Sequence, residues 1–522
     1  MSANTRLDRL VRSGHQQRLS GGLKGLEKES LRLSPEGRIA QTPHPAGLGS
    51  ALTHPWITTD YSEALIELIT PPSPRAEDTL AFLADIHAFV QHHLEDEVLL
   101  ATSMPIGLAG DESIPIARYG RSNIGMMKHI YRRGLAYRYG RTMQSIAGLH
   151  FNYSFNESLW PVLQDLEGDS TSPQAFVDAQ YFRVIRNVHR YGWLLVYLFG
   201  NSPALCKSFF HGRHSLASRF VKLDADTLYR PDATSLRMSD IGYRNDNQTT
   251  LDISFNAIED YIASLDRATN LPYPAYEAIG VKVDGVYRQL NANILQIENE
   301  YYSPVRPKQV ARSGEKPTLA LKKRGVRYLE LRALDLCAFE PAGIALDTMR
   351  FLECFALFCL LVDSPPLSVE EKAECGQNSL HVACCGRGRD FALFRQGREV
   401  PLRQWGEEIL AGMRDVAEVL DAEGDGAYVS SVDKLWPSLA DQDATPSAHV
   451  LRTLRQNGES FAEFAMRLST GHADHWRAYS LNAEKNRMFE QEAETSWEEQ
   501  ARIEASDTLS LDDFLQRYWQ QT

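Results

Sequence analysis

Glu27 and Glu29 stand two apart in the stretch 25–33, whose alternation of side-chain types is that of a strand. That spacing places both carboxylates on one sheet face, roughly 7 Å apart. A second acidic set, Asp60, Glu63 and Glu67, lies in TTDYSEALIELITPP. Glu63 and Glu67 share a face in either a helix or a strand, because a separation of four suits both periods. One reading makes Asp60 a helix N-cap with Glu63 closing a capping box. The β-prone run 66–70, stopped by Pro71-Pro72, favours a strand, in which Asp60 needs a bulge or turn to join the others. Glu298 and Glu300 in LQIENEYY, and Glu330 beside Arg332 in VRYLELRAL, repeat the parity of two. His150 in GLHFNYS shares its face with Asn152 and Ser154. Carboxylates embedded in apolar strands are costly unless paired or bound to metal. Hard oxygens drawn from several strands, completed by an imidazole, suit Mg²⁺ or Mn²⁺, ions that neutralise phosphate charge. Each motif alone also has a plainer reading: a solvent-facing edge for Glu27 and Glu29, a buried ion pair for Glu330 and Arg332, a structural strand histidine for His150.

The metal chemistry requires that these strands converge. Residues 25–41 read as a hairpin about Ser34-Pro35-Glu36-Gly37, and further strands are expected at 66–70, 148–154, 290–302 and 326–334. Helices are expected at 76–97 and 176–198, and at the N-terminus, where Leu7, Leu10 and Val11 share a face. From about 341 the pattern becomes mostly helical, with 482–504 rich in Glu, Arg and Ala. Ser510 and Asp513 are spaced as a capping box opening a last helix whose Phe514, Leu515 and Tyr518 dock. The expected class is α+β, with a catalytic body over 1–345 and a mostly helical region, 346–522, packed on the same unit.

The chain has 522 residues, 43% of them apolar and 24% charged, the composition of a soluble globular protein. Its formal charge of −13, from 55 basic against 68 acidic residues, argues against a nucleic-acid binder that relies on broad positive potential. The longest apolar stretches, near 192–199 and 355–362, fall far short of the roughly 20 residues that span a bilayer. Seven cysteines, an odd number scattered from Cys206 to Cys385, point to a reducing cytoplasm rather than a disulfide framework. The N-terminus has no apolar segment of the kind a secretory signal needs.

Several local matches carry less. Gly21 to Gly25 lacks the Gly-Lys-Ser/Thr end of a phosphate loop, and no Gly-x-Gly-x-x-Gly opens a helix, so any nucleotide is held another way. Asp421 to Gly426 begins like a calcium loop, but Val432 stands where the bidentate Glu belongs. Cys375, His381, Cys384 and Cys385 lack the second Cys-x-x-Cys of a zinc site. The stretch 128–140 mixes bases with aromatics and reads as a local anion or substrate pocket.

In order along the chain, GLEKESLRL, GSALTHPWITTDYSEALIELITP, YFRVIRN, YLFGNSPA, ATSLRMSDIGY, LQIENEYYSPVRPK and YLELRALD closely resemble the proteobacterial glutamate-cysteine ligases, also called γ-glutamylcysteine synthetases. The resemblance is strong over about residues 20–345 and weak beyond. It implies a cytoplasmic monomer with a glutamine-synthetase-like antiparallel sheet forming a funnel. It also implies ATP-dependent ligation of the γ-carboxylate of L-glutamate to the amine of L-cysteine, with Mg²⁺ or Mn²⁺, as the first step of glutathione biosynthesis. By resemblance, Glu29 and Glu67 hold one metal near the reacting carboxylate, and His150 helps to hold a second. Glu27, Asp60 and Glu330 bind a third alongside the nucleotide phosphates. Arg332 offsets charge during phosphoryl transfer, and Arg237 clamps a substrate carboxylate. Tyr61, Tyr131, Leu135, Gln144, Tyr243 and Tyr302 match positions lining the cysteine pocket, and Asn152 joins the substrate-binding set. Tyr61 stands where the family leads one to expect Phe. A regulatory disulfide known in relatives has no support here, because no cysteine precedes Cys206. Glutathione is the expected feedback inhibitor. The rival readings are a ligase of the same fold using another amine, a metal-dependent phosphohydrolase, and a catalytically silent metal- or amino-acid-binding protein.

Overall fold

The computed structural model describes residues 5–212, 214–242, 251–422 and 424–521. Its strands are β1 (Leu23–Leu33), β2 (Ile57–Thr59), β3 (Leu65–Ile69), β4 (Val98–Leu99), β5 (Leu149–Ser154), β6 (Ala204–Cys206), β7 (Val221–Lys222), β8 (Thr227–Tyr229), β9 (Lys282–Val283), β10 (Val286–Tyr287), β11 (Val305–Lys308), β12 (Tyr328–Leu334), β13 (Ala392–Arg395) and β14 (Arg398–Pro401). A seven-stranded sheet runs in the order β11-β12-β5-β1-β3-β2, with β4 on the far end of β1, and all its pairings are antiparallel. β6–β8 and the hairpins β9–β10 and β13–β14 are small separate sheets.

β1 organises the large sheet because its two faces differ in chemistry. Gly25, Glu27 and Glu29 point one way, and Lys24, Leu26 and Lys28 the other. Behind the sheet lie two helices, Ala76–His92 and Leu346–Leu361. The second is buried nearly throughout, packing against the back-facing Phe151 and Tyr153 side of β5. Buried apolar residues from Leu7 to Phe489 form one contiguous core. Helices fill the chain after Leu346 apart from the β13–β14 hairpin, and among the described residues no helix is long and apolar enough to cross a membrane. The last helix, Leu511–Trp519, has the expected cap, Ser510 accepting from Asp513 N. Its Leu515 and Tyr518 pack on Met127 and Ile130 of the helix Asn123–Tyr139.

Three expectations need correction. The 25–41 hairpin turns as expected, Gly37 N donating to Ser34 O at 2.9 Å, but its return limb makes only a bridge between Ile39 and Leu33. The segment 290–302 is not a strand. Its acidic side chains are taken by neighbours, so it folds as a 3-10 turn, Glu298–Glu300. Thr318 Oγ1 donates to Glu298 at 2.6 Å, while Arg138 at 2.9 Å and Tyr139 Oη at 2.5 Å donate to Glu300. Val11 is 44% exposed, leaving Leu7 and Leu10 to seat the first helix.

Candidate active site

Sheet register assembles the front face. Glu27 on β1 lies opposite His150 on β5, and Glu29 lies opposite Glu67 on β3. On the other side of β5, Asn152 faces Glu330 on β12, which in turn faces Arg306 on β11. His150 Nδ1 is 3.1 Å from Glu27 Oε2 and 3.6 Å from Glu330 Oε1, and its Nε2 is 3.8 Å from Glu29 Oε1. One ligand atom from each of Glu27, His150 and Glu330 lies within 4.8 Å of the others. Asn152 Nδ2 donates to Glu27 Oε1 at 2.8 Å. Two oxygens on this face, Asn152 Oδ1 and Glu330 Oε2, are buried and accept no hydrogen bond within the described structure.

The face is electrostatically unbalanced. Burial, and then Asp60, push the Glu29 carboxyl up to about 8, although Gly148 N donates to it at 2.6 Å. Burial, and then Glu27 and Asp60, hold Glu67 well above the usual carboxylate range. Glu330 goes the other way: against the effect of burial, Arg332 and then Lys308 keep it well below that range. Arg332 Nη1 bonds Glu330 Oε1 at 2.9 Å and Lys308 Nζ lies 3.4 Å from Oε2, so the plainer reading of Glu330 and Arg332 as an ion pair holds as far as it goes. Burial, and then Arg332, lower the pKa of His150, which favours the neutral imidazole that ligates metals.

In front of this face opens a cleft of about 790 Å³, part of it open to solvent. Its lining includes Glu29, Asp60 and His150 from the sheet side, and Arg132, Arg237, Arg306 and Arg332. Tyr61, Tyr131, Leu135, Met143, Gln144 and Tyr302 form its less charged wall. Asp60 reaches the cleft from the turn joining β2 to β3, its N–H donating to Leu65 O at 3.0 Å. Tyr131, Arg132 and Leu135 come from the helix Asn123–Tyr139. The Arg237 guanidinium lies against the backbone, Nη2 donating to Arg332 O at 3.0 Å. Gly148 permits this approach, since a Cβ there would sit 2.1 Å from Arg237 Nη2. Tyr302 Oη donates to Met238 Sδ at 3.1 Å, and Arg237 Nη1 lies 3.3 Å from the same sulfur.

The structure therefore brings Glu27, Glu29, Glu67, His150, Asn152, Glu330 and Arg332 onto one face, and Asp60, Tyr61, Tyr131, Leu135, Gln144, Arg237 and Tyr302 around the cleft before it. Tyr243 lies outside the described residues. Glu63 separates from its neighbours: it sits in the β2–β3 turn, where its carboxylate accepts from His44 N at 3.0 Å and Arg118 N at 2.8 Å. Arg132 and Arg306 are cleft residues to which sequence reasoning assigned no individual role. The signal for Arg132 was the basic-aromatic stretch 128–140, and that for Arg306 was its place in SPVRPK, but neither spacing points to a carboxylate cluster. Among the described residues no metal-binding group forms around Cys375, His381 and Cys384.

A cleft that joins clustered carboxylates to guanidinium groups suits the handling of phosphate and carboxylate anions. Comparison with known proteins is specific. A relative named glutamate–cysteine ligase from Azotobacter vinelandii is 50% identical over 98% of this chain and 97% of its own length. Another so named, from Pseudomonas paraeruginosa, is 49% identical over 95% and 94%. The crystal structure of the Francisella tularensis glutamate–cysteine ligase in complex with AMP superposes with a TM-score of 0.90 at 35% identity, covering 96% of this chain and 98% of that one. A bifunctional glutathione synthetase from Pasteurella multocida follows at 0.74 and 27%, covering 93% of this chain and 58% of that one. The family model for glutamate-cysteine ligase matches residues 7–382, and this chain belongs to that family, whose reaction is the ATP-dependent joining of glutamate to cysteine that begins glutathione biosynthesis.

Proposed function

We propose that the front face of the sheet is the phosphoryl-transfer and acyl-transfer centre of this ligase. Glu29 and Glu67 would hold one divalent cation, His150 would help to hold a second, and Glu27, Asp60 and Glu330 would hold a third that serves the nucleotide. The donor set fits: hard oxygens with one imidazole suit Mg²⁺ or Mn²⁺. Asn152 Oδ1, which is buried and accepts no hydrogen bond within the described structure, and the raised pKa values of Glu29 and Glu67 also support a need for added positive charge there. Such ions supply charge neutralisation to the phosphates of bound ATP. Asn152 orients Glu27 through its amide and belongs with the substrate-binding set.

The chain's own residues then act in sequence. A carboxylate does not accept an amine until it carries a leaving group. The γ-carboxylate oxygen of glutamate therefore attacks the γ-phosphorus of ATP, forming γ-glutamyl phosphate and ADP. Arg332 offsets charge on the phosphoryl group in flight. Arg237 clamps a substrate carboxylate, and Arg132 and Arg306 add positive potential to the cleft. Tyr61, Tyr131, Leu135, Gln144 and Tyr302 surround the cysteine side chain, leaving its neutral amine to attack the acyl carbon, lose a proton and expel phosphate.

The observation that carries this reading is the convergence of Glu29, Asp60 and His150 with Arg132, Arg237, Arg306 and Arg332 on one cleft. Glutathione, which contains both halves of the product, fits the same cleft as a feedback inhibitor. Free thiols at all seven cysteines support a reducing cytoplasm, and the enzyme acts there as a monomer. Residues 1–345 make up the catalytic body, and 346–522 a helical region packed on the same unit. ADP release measured with glutamate alone, cysteine alone and both together tests the reading. It should depend on both amino acids, and ATP turnover in their absence would overturn it.

A further inference from the structure

Arg237 enters the cleft from a segment whose backbone is held by a buried carboxylate outside the catalytic set. Asp335 follows directly on β12 and is 5% exposed. Its Oδ2 accepts from Asn201 N at 2.8 Å and Ser202 Oγ at 2.6 Å, and its Oδ1 accepts from Ser235 Oγ at 2.8 Å. Both hydroxyls pass the constraint onward. Ser202 Oγ accepts from Arg237 N at 3.3 Å, and Ser235 Oγ accepts from Met238 N at 3.2 Å. The backbones run side by side here, Leu236 N donating to Ser202 O at 2.7 Å. Gly200 makes the approach feasible, because a Cβ there would lie 2.6 Å from Thr234 O. YLFGNSPA, ATSLRMSD and YLELRALD, motifs far apart in the chain, thus meet at one carboxylate.

The charge state of that group sets the polarity of the network. An ionised carboxylate only accepts, so both serine hydroxyl protons point at Asp335 and their lone pairs stay free for the N–H groups of Arg237 and Met238. An amide of the same shape has one accepting atom. Its NH₂ would face either a serine hydroxyl, reversing that link, or the Asn201 N–H, which is already a donor.

We propose that Asp335 is a positioning residue for substrate recognition: through Ser202 and Ser235 it sets the backbone of Arg237 and Met238, and so the guanidinium and the sulfur that Tyr302 contacts. This rests on the reading of Arg237 as a carboxylate clamp. The test is Asp335→Asn in the full chain, with kcat and KM for ATP, glutamate and cysteine and a thermal melt. The KM for the amino acid held by Arg237 should rise about tenfold, the scale of one lost hydrogen bond to a charged group, with the ATP KM nearly unchanged. In an Arg237→Lys background the same substitution should add little, because both act through one guanidinium. Additive effects, or an equal loss for all three substrates, would overturn the inference while leaving the Arg237 reading intact. If Arg237→Lys itself left both amino-acid KM values unchanged, the clamp reading would fall and this inference with it. Should Asp335→Asn not fold, Ser202→Ala and Ser235→Ala, each removing one link, must shift the same KM in the same direction, and unchanged values would refute the proposal.

Discussion

On the back of β1, Lys24 meets Glu353 at 2.9 Å, with each side chain 1% exposed. Lys24 Nζ also donates to Gly22 O at 3.0 Å and Pro74 O at 2.7 Å, and Glu353 accepts from Tyr153 Oη at 3.3 Å and Tyr428 Oη at 2.8 Å. On the front of the same strand, Glu29 faces Glu67 across the ladder, a like-charge pairing that costs stability wherever nothing offsets it. Glu29 is buried like the back pair, while Glu27 and Glu67 are partly buried, and the larger difference between the faces is in saturation. The back pair has cancelled its charge and filled its hydrogen bonds, so it holds the helix Leu346–Leu361 to the sheet and does no chemistry. On the front, no lysine or arginine forms an ion pair with Glu29 or Glu67 among the described residues and their pKa values rise instead, so these are the carboxylates that a bound cation would ionise. Lys28 stands between these cases: it is buried on the back face, its Nζ is 3.0 Å from His87 Nε2, no ion pair with a carboxylate forms among the described residues, and burial lowers its pKa to about 7.

The contrast can be broken at several points. Removing one member of the saturated pair, by Glu353→Ala, strands a buried lysine and should cost about 3–5 kcal/mol in urea unfolding. Molecules that remain folded should keep wild-type KM values, and a loss below about 1 kcal/mol would erase the distinction between the faces. On the front, Glu67→Gln or Glu27→Gln should lower turnover at least about a hundredfold, the effect of losing one strong electrostatic stabiliser, without lowering the urea midpoint. Near-wild-type rates at saturating Mg²⁺ would sink the metal assignment.

Lys28→Met should fall between these in stability, at about 1–3 kcal/mol, because His87 Nδ1 already lacks a partner and Nε2 would join it. A cost as large as that of Glu353→Ala would mean that charge cancellation is not what separates the sites. Smallest is Tyr302→Phe, which removes the hydroxyl on Met238 Sδ and should raise the cysteine KM by the equivalent of about 0.5–1.5 kcal/mol, with glutamate and ATP little affected. The same pocket should still admit 2-aminobutyrate, since the attacking atom is the amine and contacts between sulfur and aromatic rings contribute only about 0.3–1.5 kcal/mol. A parallel rise in all three KM values, or refusal of 2-aminobutyrate, would show that the cysteine pocket is misplaced.

Much of the site was legible residue by residue. The β-prone run ending at Pro71-Pro72 yielded β3 with Glu67 on its front, and the requirement for a turn at Asp60 was met by the β2–β3 connection. What misled was acidic spacing read without its partners. Glu298 and Glu300 carry the same parity as Glu27 and Glu29, yet Thr318, Arg138 and Tyr139 capture them in a 3-10 turn. Glu63 shares its parity with Glu67, but it satisfies two backbone N–H groups instead. Arg132 and Arg306 escaped because a lone arginine in sequence carries no sign of which cavity it faces.

The sequence by itself determined which side chains travel together. A strand has period two, a local property, so Glu27 with Glu29, His150 with Asn152, and Glu330 with Arg332 were bound to share a face wherever their strands lay. Only the tertiary structure decided that β12, β5, β1 and β3 are successive neighbours, in the register that sets Glu27 against His150 and Glu29 against Glu67. A slip of one residue in any of those ladders would turn that strand's charged row into the core behind the sheet. Such a slip is opposed by burial of Leu26, Phe151 and Leu331 on the back face, and those contacts depend on partners far along the chain that no local pattern can specify.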